Sequence, residues 1–177
     1  MHMQSKIFFF FLLFIFCFLS CKNPIDTAPE FDIIFYTSSE NTSLSSIHKF
    51  ISSQNKPTII NFWASNCFPC RTEMKELQLF FEEKKFETLI IGIDVGSQSK
   101  LGTKKGAEKL IKELNLTYPL GYSKKQDLLE NYGIIALPST IWILPNKKLY
   151  LKWTGILNKE TLNKITRELI KNTNNEY

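Results

Sequence analysis

Two cysteines three residues apart, set where a strand gives way to a helix, constrain this chain more than any other feature. Thr58 to Glu73 reads TIINFWASNCFPCRTE. Thr58–Trp63 is rich in β-branched and aromatic residues and is bounded by Pro57, so it reads as a buried strand. A turn follows. Cys67 and Cys70 then open a helix with Met74, Leu77, Phe80 and Phe81 on one face. The first turn of a helix has unpaired N–H groups and a partial positive charge. A cysteine there is shifted toward the thiolate, the form that attacks a disulfide. The two-residue gap lets the second cysteine fold back one turn later onto the first sulfur. Pro69 suits a first turn because it has no N–H to leave unpaired.

The other cysteines sharpen this reading. Lys6 precedes an unbroken apolar run of 13 residues, Ile7 to Leu19. A membrane span needs about 20, so the run reads as a signal-peptide core. Ser20 and Cys21 follow at once and look like a bacterial lipoprotein cleavage site, although Phe18 and Leu19 depart from the usual leucine and small residue. The expectation is a signal peptide over residues 1–20 and a lipid on Cys21; an ordinary signal or an uncleaved anchor is the alternative. Of four cysteines, Cys17 would leave with the signal and Cys21 would carry lipid, so the exported domain keeps Cys67 and Cys70 alone. A bond across so short a loop constrains the unfolded chain little. Its expected use is reversible chemistry.

Residues 21–30, with Pro24 and Pro29 and no apolar periodicity, read as a lipidated tether. A folded domain is expected over 31–171 and a frayed tail over 172–177. Strands are expected at Phe31–Tyr36, Thr58–Trp63, Thr88–Val95, Thr117–Leu120, Ser139–Leu144 and Lys148–Thr154, the last two joined at Pro145-Asn146-Lys147. Helical spacing marks Leu44–Ile51 (with Ser43 as cap), Cys67–Lys84, Ala107–Leu114, a short piece ending at Gly133, and Leu162–Ile170. The alternation gives an α/β fold with a mixed sheet. The net charge of +5 is spread as single lysines and Lys-Lys pairs, which read as solvated surface. No dense basic block argues for nucleic acid, and no Gly-rich phosphate loop is present.

The segment NFWASNCFPC resembles the thioredoxin superfamily, and more narrowly the TlpA/ResA-like extracytoplasmic thiol–disulfide oxidoreductases. The likeness continues through YPLGYSKKQDLLENYGIIALPSTIWIL and covers about Phe31 to Ile170. It implies a thioredoxin fold: a central mixed sheet flanked by helices, with an N-terminal strand and helix and an extra αβ insertion. By position, Cys67 would be the attacking, more exposed thiol and Cys70 the buried, resolving one. Pro138 would be a cis-proline against the disulfide, and Leu137 would offer backbone groups to an extended substrate. Asn66 and Phe68 flank Cys67 on the expected substrate side. Glu73, one turn beyond Cys70, matches an acidic position linked to proton exchange with the cysteines; a solvated Glu is the alternative. Arg71 is expected to face outward.

Two departures stand out. Asn66 replaces the usual tryptophan. As an N-cap, its side chain would occupy an N–H otherwise available to the thiolate, so Cys67 is expected to be less acidic than in relatives. Lys75 replaces a helix-kinking proline, so that helix is expected to be straighter. Asn61 stands where cytoplasmic thioredoxins hold a buried acid.

The expected function is disulfide reduction in exported proteins, with cytochrome c maturation as one setting. A membrane thiol would be the electron donor, with the chain held extracytoplasmically by the Cys21 lipid. A thioredoxin-fold peroxidase or a copper-delivery module are the alternatives. The peroxidase family's Thr-x-x-Cys setting is here Ala64-Ser65-Asn66-Cys67. A metal site wants a further His or Cys pair, and beyond the signal only His48 remains, expected as a plain surface residue. No metal or cofactor is expected.

Overall fold

The computed structural model describes residues 27–36 and 44–175. Its elements in chain order are β1 (Asp32–Phe35), β2 (Leu44–Ser46), α1 (Ile47–Gln54), β3 (Thr58–Trp63), α2 (Phe68–Lys84), β4 (Leu89–Asp94), α3 (Gly96–Ser99), α4 (Lys104–Glu113), β5 (Leu120–Tyr122), α5 (Leu128–Asn131), β6 (Ser139–Ile143), β7 (Leu149–Thr154) and α6 (Lys159–Asn175). The seven strands form one mixed sheet in the order β2-β1-β5-β4-β3-β6-β7.

The near-continuous apolar runs in β3, β4 and β6 are explained by burial on both faces. Successive strand side chains point to opposite faces, and two cores result. Ile59, Trp63, Ile90 and Trp142 pack under α2, α4 and α6 through Met74, Leu77, Phe80, Ala107, Leu110, Leu162 and Leu169. Ile60, Phe62, Ile91, Ile93 and Ile141 pack against Ile47 and Ile51 of α1 and Leu128 and Tyr132 beside α5. β3 and β4 are parallel, and β6 runs antiparallel to β3 with Ser139 opposite Phe62. The ends of β3 and β4 and the start of β6 therefore meet at one edge.

Several local expectations are corrected. Leu44–Ser46 pairs with β1 as a short strand, and α1 starts only at Ile47. Its cap is Ser46, whose hydroxyl accepts the Lys49 N–H at 3.2 Å; Ser43, the expected cap, lies outside the described residues. The fifth strand begins at Leu120, not Thr117, because the Thr117 N–H is taken by Gln78 Oε1 at 2.8 Å. A one-turn helix, α3, stands where no element was expected. The fold also begins before Phe31. Ala28 is buried, its N–H reaches the Lys147 carbonyl at 2.9 Å, and Thr27 bridges Lys148. The end of the expected tether is thus tied to the turn between β6 and β7. α6 runs to Asn175, into the stretch expected to fray. His48 is not a plain surface residue: its ring touches Glu30 Oε2 at 2.7 Å and the Ala28 carbonyl at 2.6 Å, which pins that same N-terminal segment.

Other expectations hold. The 145–147 turn closes with Lys147 N–H on the Leu144 carbonyl at 2.8 Å. Gly133 ends the short helix with φ of 59°. α2 is unbroken from Phe68 to Lys84.

Candidate active site

The chain leaves the buried edge of β3 at Trp63, whose carbonyl accepts the Val95 N–H, and turns through Ala64–Asn66. The Cys67 N–H bonds the Ala64 carbonyl at 3.1 Å, and the Asn66 N–H bonds the Leu101 carbonyl at 2.8 Å. Cys67 keeps extended backbone angles, φ −87° and ψ 102°, and is itself the N-cap of α2. Its sulfur accepts the Cys70 N–H at 3.3 Å. Cys67 and Cys70 are joined as a disulfide. Cys67 keeps 6% of its surface exposed and Cys70 none, the order the resemblance implied.

This geometry corrects the expectation for Asn66. Helical angles begin one residue later than an Asn66 cap requires. Asn66 is exposed, and it is the Cys67 sulfur that accepts a first-turn N–H, that of Cys70, which lies beyond the second and third helical positions an Asn66 cap would reach. The premise of a weakened Cys67 thiolate therefore falls. An N–H aimed at sulfur, at the positive end of a 17-residue helix with no acid in its first turn, favours the thiolate once the disulfide opens.

Glu73 is wholly buried. Its Oε2 accepts from Asn61 Nδ2 at 2.7 Å, and its Oε1 accepts the Leu157 N–H at 3.1 Å. Burial pushes its pKa up to about 7, against the pull of those hydrogen bonds toward the charged form. The solvated alternative is thereby excluded. Arg71 does not serve the cysteines: its guanidinium is paired with Glu113 of α4 and partly exposed.

The Leu137–Pro138 peptide is cis, as expected. Pro138 is buried and Leu137 half-buried. The β3–β6 register puts this bond at the sheet edge where β3 leads into the cysteine turn. The Pro138 carbonyl accepts the Gly155 N–H at 2.9 Å, which holds the loop before α6. Phe68 is 79% exposed and stands free beside Cys67. The redox pair sits on an open edge; a cleft of about 670 Å³ lined by Glu30, Asp32, Lys124 and Lys125 includes none of its residues.

Some residues of this edge escaped the sequence reading. Thr140, opposite Asn61, accepts its second amide hydrogen at 2.9 Å. Tyr118 is wholly buried, and that burial, with the charge of Glu73 as the smaller cause, pushes its phenol pKa upward. Asp94, at the end of β4, accepts from Tyr36 at 2.6 Å and from the Gly96 N–H at 2.8 Å. No spacing in the sequence marks these residues, because strand register alone makes them neighbours. Cys21 and the apolar run before it lie outside the described residues.

Gly102 has a specific reason to lack a side chain. A Cβ there would stand 2.3 Å from Ser65 Oγ and 3.1 Å from the Ser65 backbone nitrogen, in the turn that delivers Cys67. Gly102→Ala is expected to cost about 1–3 kcal/mol and to slow disulfide exchange by displacing that turn. Urea unfolding and an exchange assay on the variant check both; unchanged values in both would show that the turn yields without cost.

Comparison with known proteins agrees with this geometry. The AhpC/TSA family model matches residues 24–152. The chain is 29% identical over 137 residues to the thiol-disulfide oxidoreductase ResA of Oceanobacillus iheyensis, covering 77% of this chain and 68% of that protein. It is 31% identical over 118 residues to ResA of Geobacillus thermodenitrificans, covering 65% of this chain and 64% of that protein. The chain thus spans about two thirds of the length of the relatives it matches. The crystal structure of StoA from Bacillus subtilis superposes with a TM-score of 0.63 at 21% identity, covering 80% of this chain and 98% of that one. An exposed lipoprotein thioredoxin of Streptococcus pneumoniae gives 0.67 at 18% identity, covering 80% and 100%. These likenesses establish a thioredoxin-like α/β fold with a seven-strand mixed sheet flanked by helices. With a C-x-x-C pair at its helix start and homologues that are thiol–disulfide oxidoreductases, the chain belongs to the AhpC/TSA family.

Proposed function

We propose that this chain is an extracytoplasmic thiol–disulfide reductase, tethered through a lipid on Cys21 after removal of residues 1–20. Its substrates are disulfides in exported proteins, with apocytochromes one candidate class, and a membrane thiol restores its electrons. The observation that carries the redox reading is the Cys67 sulfur at the α2 start, bonded by the Cys70 N–H, with the buried Glu73 carboxyl one turn on.

In the reduced protein the Cys67 thiolate attacks one sulfur of the substrate disulfide. The substrate bond breaks, a mixed disulfide forms, and the other substrate sulfur leaves as a thiolate that takes a proton from solvent. Cys70 then loses its proton to the Glu73 carboxylate and attacks the Cys67 sulfur. The second substrate thiolate leaves and is protonated. Two electrons have passed to the substrate, and Cys67–Cys70 is oxidised. A pKa near 7 lets Glu73 both accept and release a proton close to neutral pH. Leu137, before the cis bond, supplies backbone groups to an extended substrate, and Asn66 and the exposed Phe68 lie beside the attacking sulfur.

The test is turnover of a protein disulfide such as that of insulin, with peroxide consumption measured alongside and the Cys67–Cys70 potential set against a dithiothreitol series. Disulfide reduction with a potential near about −270 mV supports a reductant; about −120 mV would mark an oxidant. Peroxide consumption faster than disulfide reduction would favour the peroxidase reading. The tether is tested with Cys21→Ala, which is expected to release the protein from the membrane fraction and abolish acyl labelling.

A further inference from the structure

Asn61 stands in the middle of β3, buried between Ile59 and Trp63 on the face that packs under α2. An amide nitrogen carries two hydrogens, and both are engaged: one on Glu73 Oε2 at 2.7 Å, the other on Thr140 Oγ1 at 2.9 Å. The amide oxygen is buried with no partner. This orientation suits a carboxylate, which only accepts hydrogen bonds. It does not suit a carboxylic acid, whose O–H needs an acceptor.

The side-chain amide can turn over about its last bond, exchanging nitrogen and oxygen with almost no change in shape. After that turn the oxygen would face Glu73 and accept its O–H. Thr140 serves both orientations, because a hydroxyl accepts from the nitrogen or donates to the oxygen. Glu73 Oε1 stays on the Leu157 N–H throughout. We propose that Asn61 is the positioning residue of the Glu73 carboxyl, holding it at the redox helix and turning its amide over as Glu73 gains or loses its proton. The inference rests on Glu73 as the proton handler.

The groups facing Glu73 are few. β3 gives Asn61, β6 gives Thr140, the segment before α6 gives the Leu157 N–H, and the segment before β5 gives the Tyr118 phenol. On its own helix Cys70 lies one turn before it. Among the described residues no lysine or arginine is ion-paired with it. Asn61 is therefore a principal source of preference for the charged form.

The experiment follows the Asn61 side-chain amide by ¹H–¹⁵N NMR in the oxidised full chain in detergent, from about pH 5 to 9. Its signals are expected to shift with the same midpoint as the Glu73 carboxyl carbon, and to stay flat in Glu73→Gln. Asn61→Leu is expected to move the pH midpoint of disulfide reduction upward by about one unit or more, since a hydrogen bond to the charged form is lost. Amide signals that stay flat while Glu73 titrates would overturn the inference, as would an unmoved midpoint in a folded Asn61→Leu. Should Asn61→Leu fail to fold, the amide titration of the native chain decides. A rate whose pH dependence survives Glu73→Gln would instead sink the assignment of Glu73, a failure the rate alone reports.

Discussion

Cys70→Ser protein is expected to stall as a covalent adduct with its substrate. Cys67 keeps its helix-start environment and still attacks, but no second thiol stands one turn on to release it. The resolving step is intramolecular, and such steps carry effective thiol concentrations far above the millimolar level of external thiols. Turnover is expected to fall on the order of a thousandfold or more, while the first attack proceeds. Mass spectrometry of the variant incubated with a disulfide-bonded peptide checks this, by an adduct of one peptide chain on Cys67. Cys67→Ser should form none. An adduct on Cys70 in Cys67→Ser, with none in Cys70→Ser, would exchange the two roles.

Glu73 is expected to make the fold less stable as pH rises toward neutral. Its pKa is about 7 in the folded chain against an ordinary 4.5. A carboxyl whose folded pKa is raised holds its proton more tightly folded than unfolded. Its contribution is therefore fully present below about pH 4.5 and is lost as pH climbs through about 7. The loss is about 3 kcal/mol across that window. Asp94, also raised by burial, adds to the same slope. Urea unfolding of the oxidised protein at a series of pH values measures it. The slope should flatten in Glu73→Gln, which cannot ionise, although its amide nitrogen would face either the Asn61 or the Leu157 donor and lower stability at every pH. An equally steep slope in that variant would assign the effect to other groups. A buried acid that destabilises the resting fold at neutral pH is the kind of cost retained for function.

Much of the site was legible before any coordinates. Spacing alone put Cys67 and Cys70 at a helix start, because the first turn of a helix is a local arrangement of a few consecutive residues. The resemblance supplied Pro138 as a cis-proline and Glu73 as an acid facing the cysteines. The local details failed where two segments far apart in sequence compete for one backbone group. Asn66 is a good cap by type, but its N–H is held by Leu101, and the helix starts one residue later. Thr117 is a good strand residue, but Gln78 takes its N–H. The stretch 21–30 reads as a tether, yet Ala28 and Glu30 are held by the 147–148 turn, Ser46 and His48.

The sequence by itself determined the order of the strands and helices other than β2 and α3, the burial of β3, and the place of the sulfur pair. Each follows from side chains a few positions apart, where the geometry of strand or helix leaves one arrangement. Only the tertiary structure decided that Glu73 is sealed from water, that the Asn61 amide bridges its oxygen and the Thr140 hydroxyl, and that the Cys67 sulfur caps its own helix. Those facts depend on which residues face each other across a sheet and how deeply a packed helix covers them, and register between distant strands sets both.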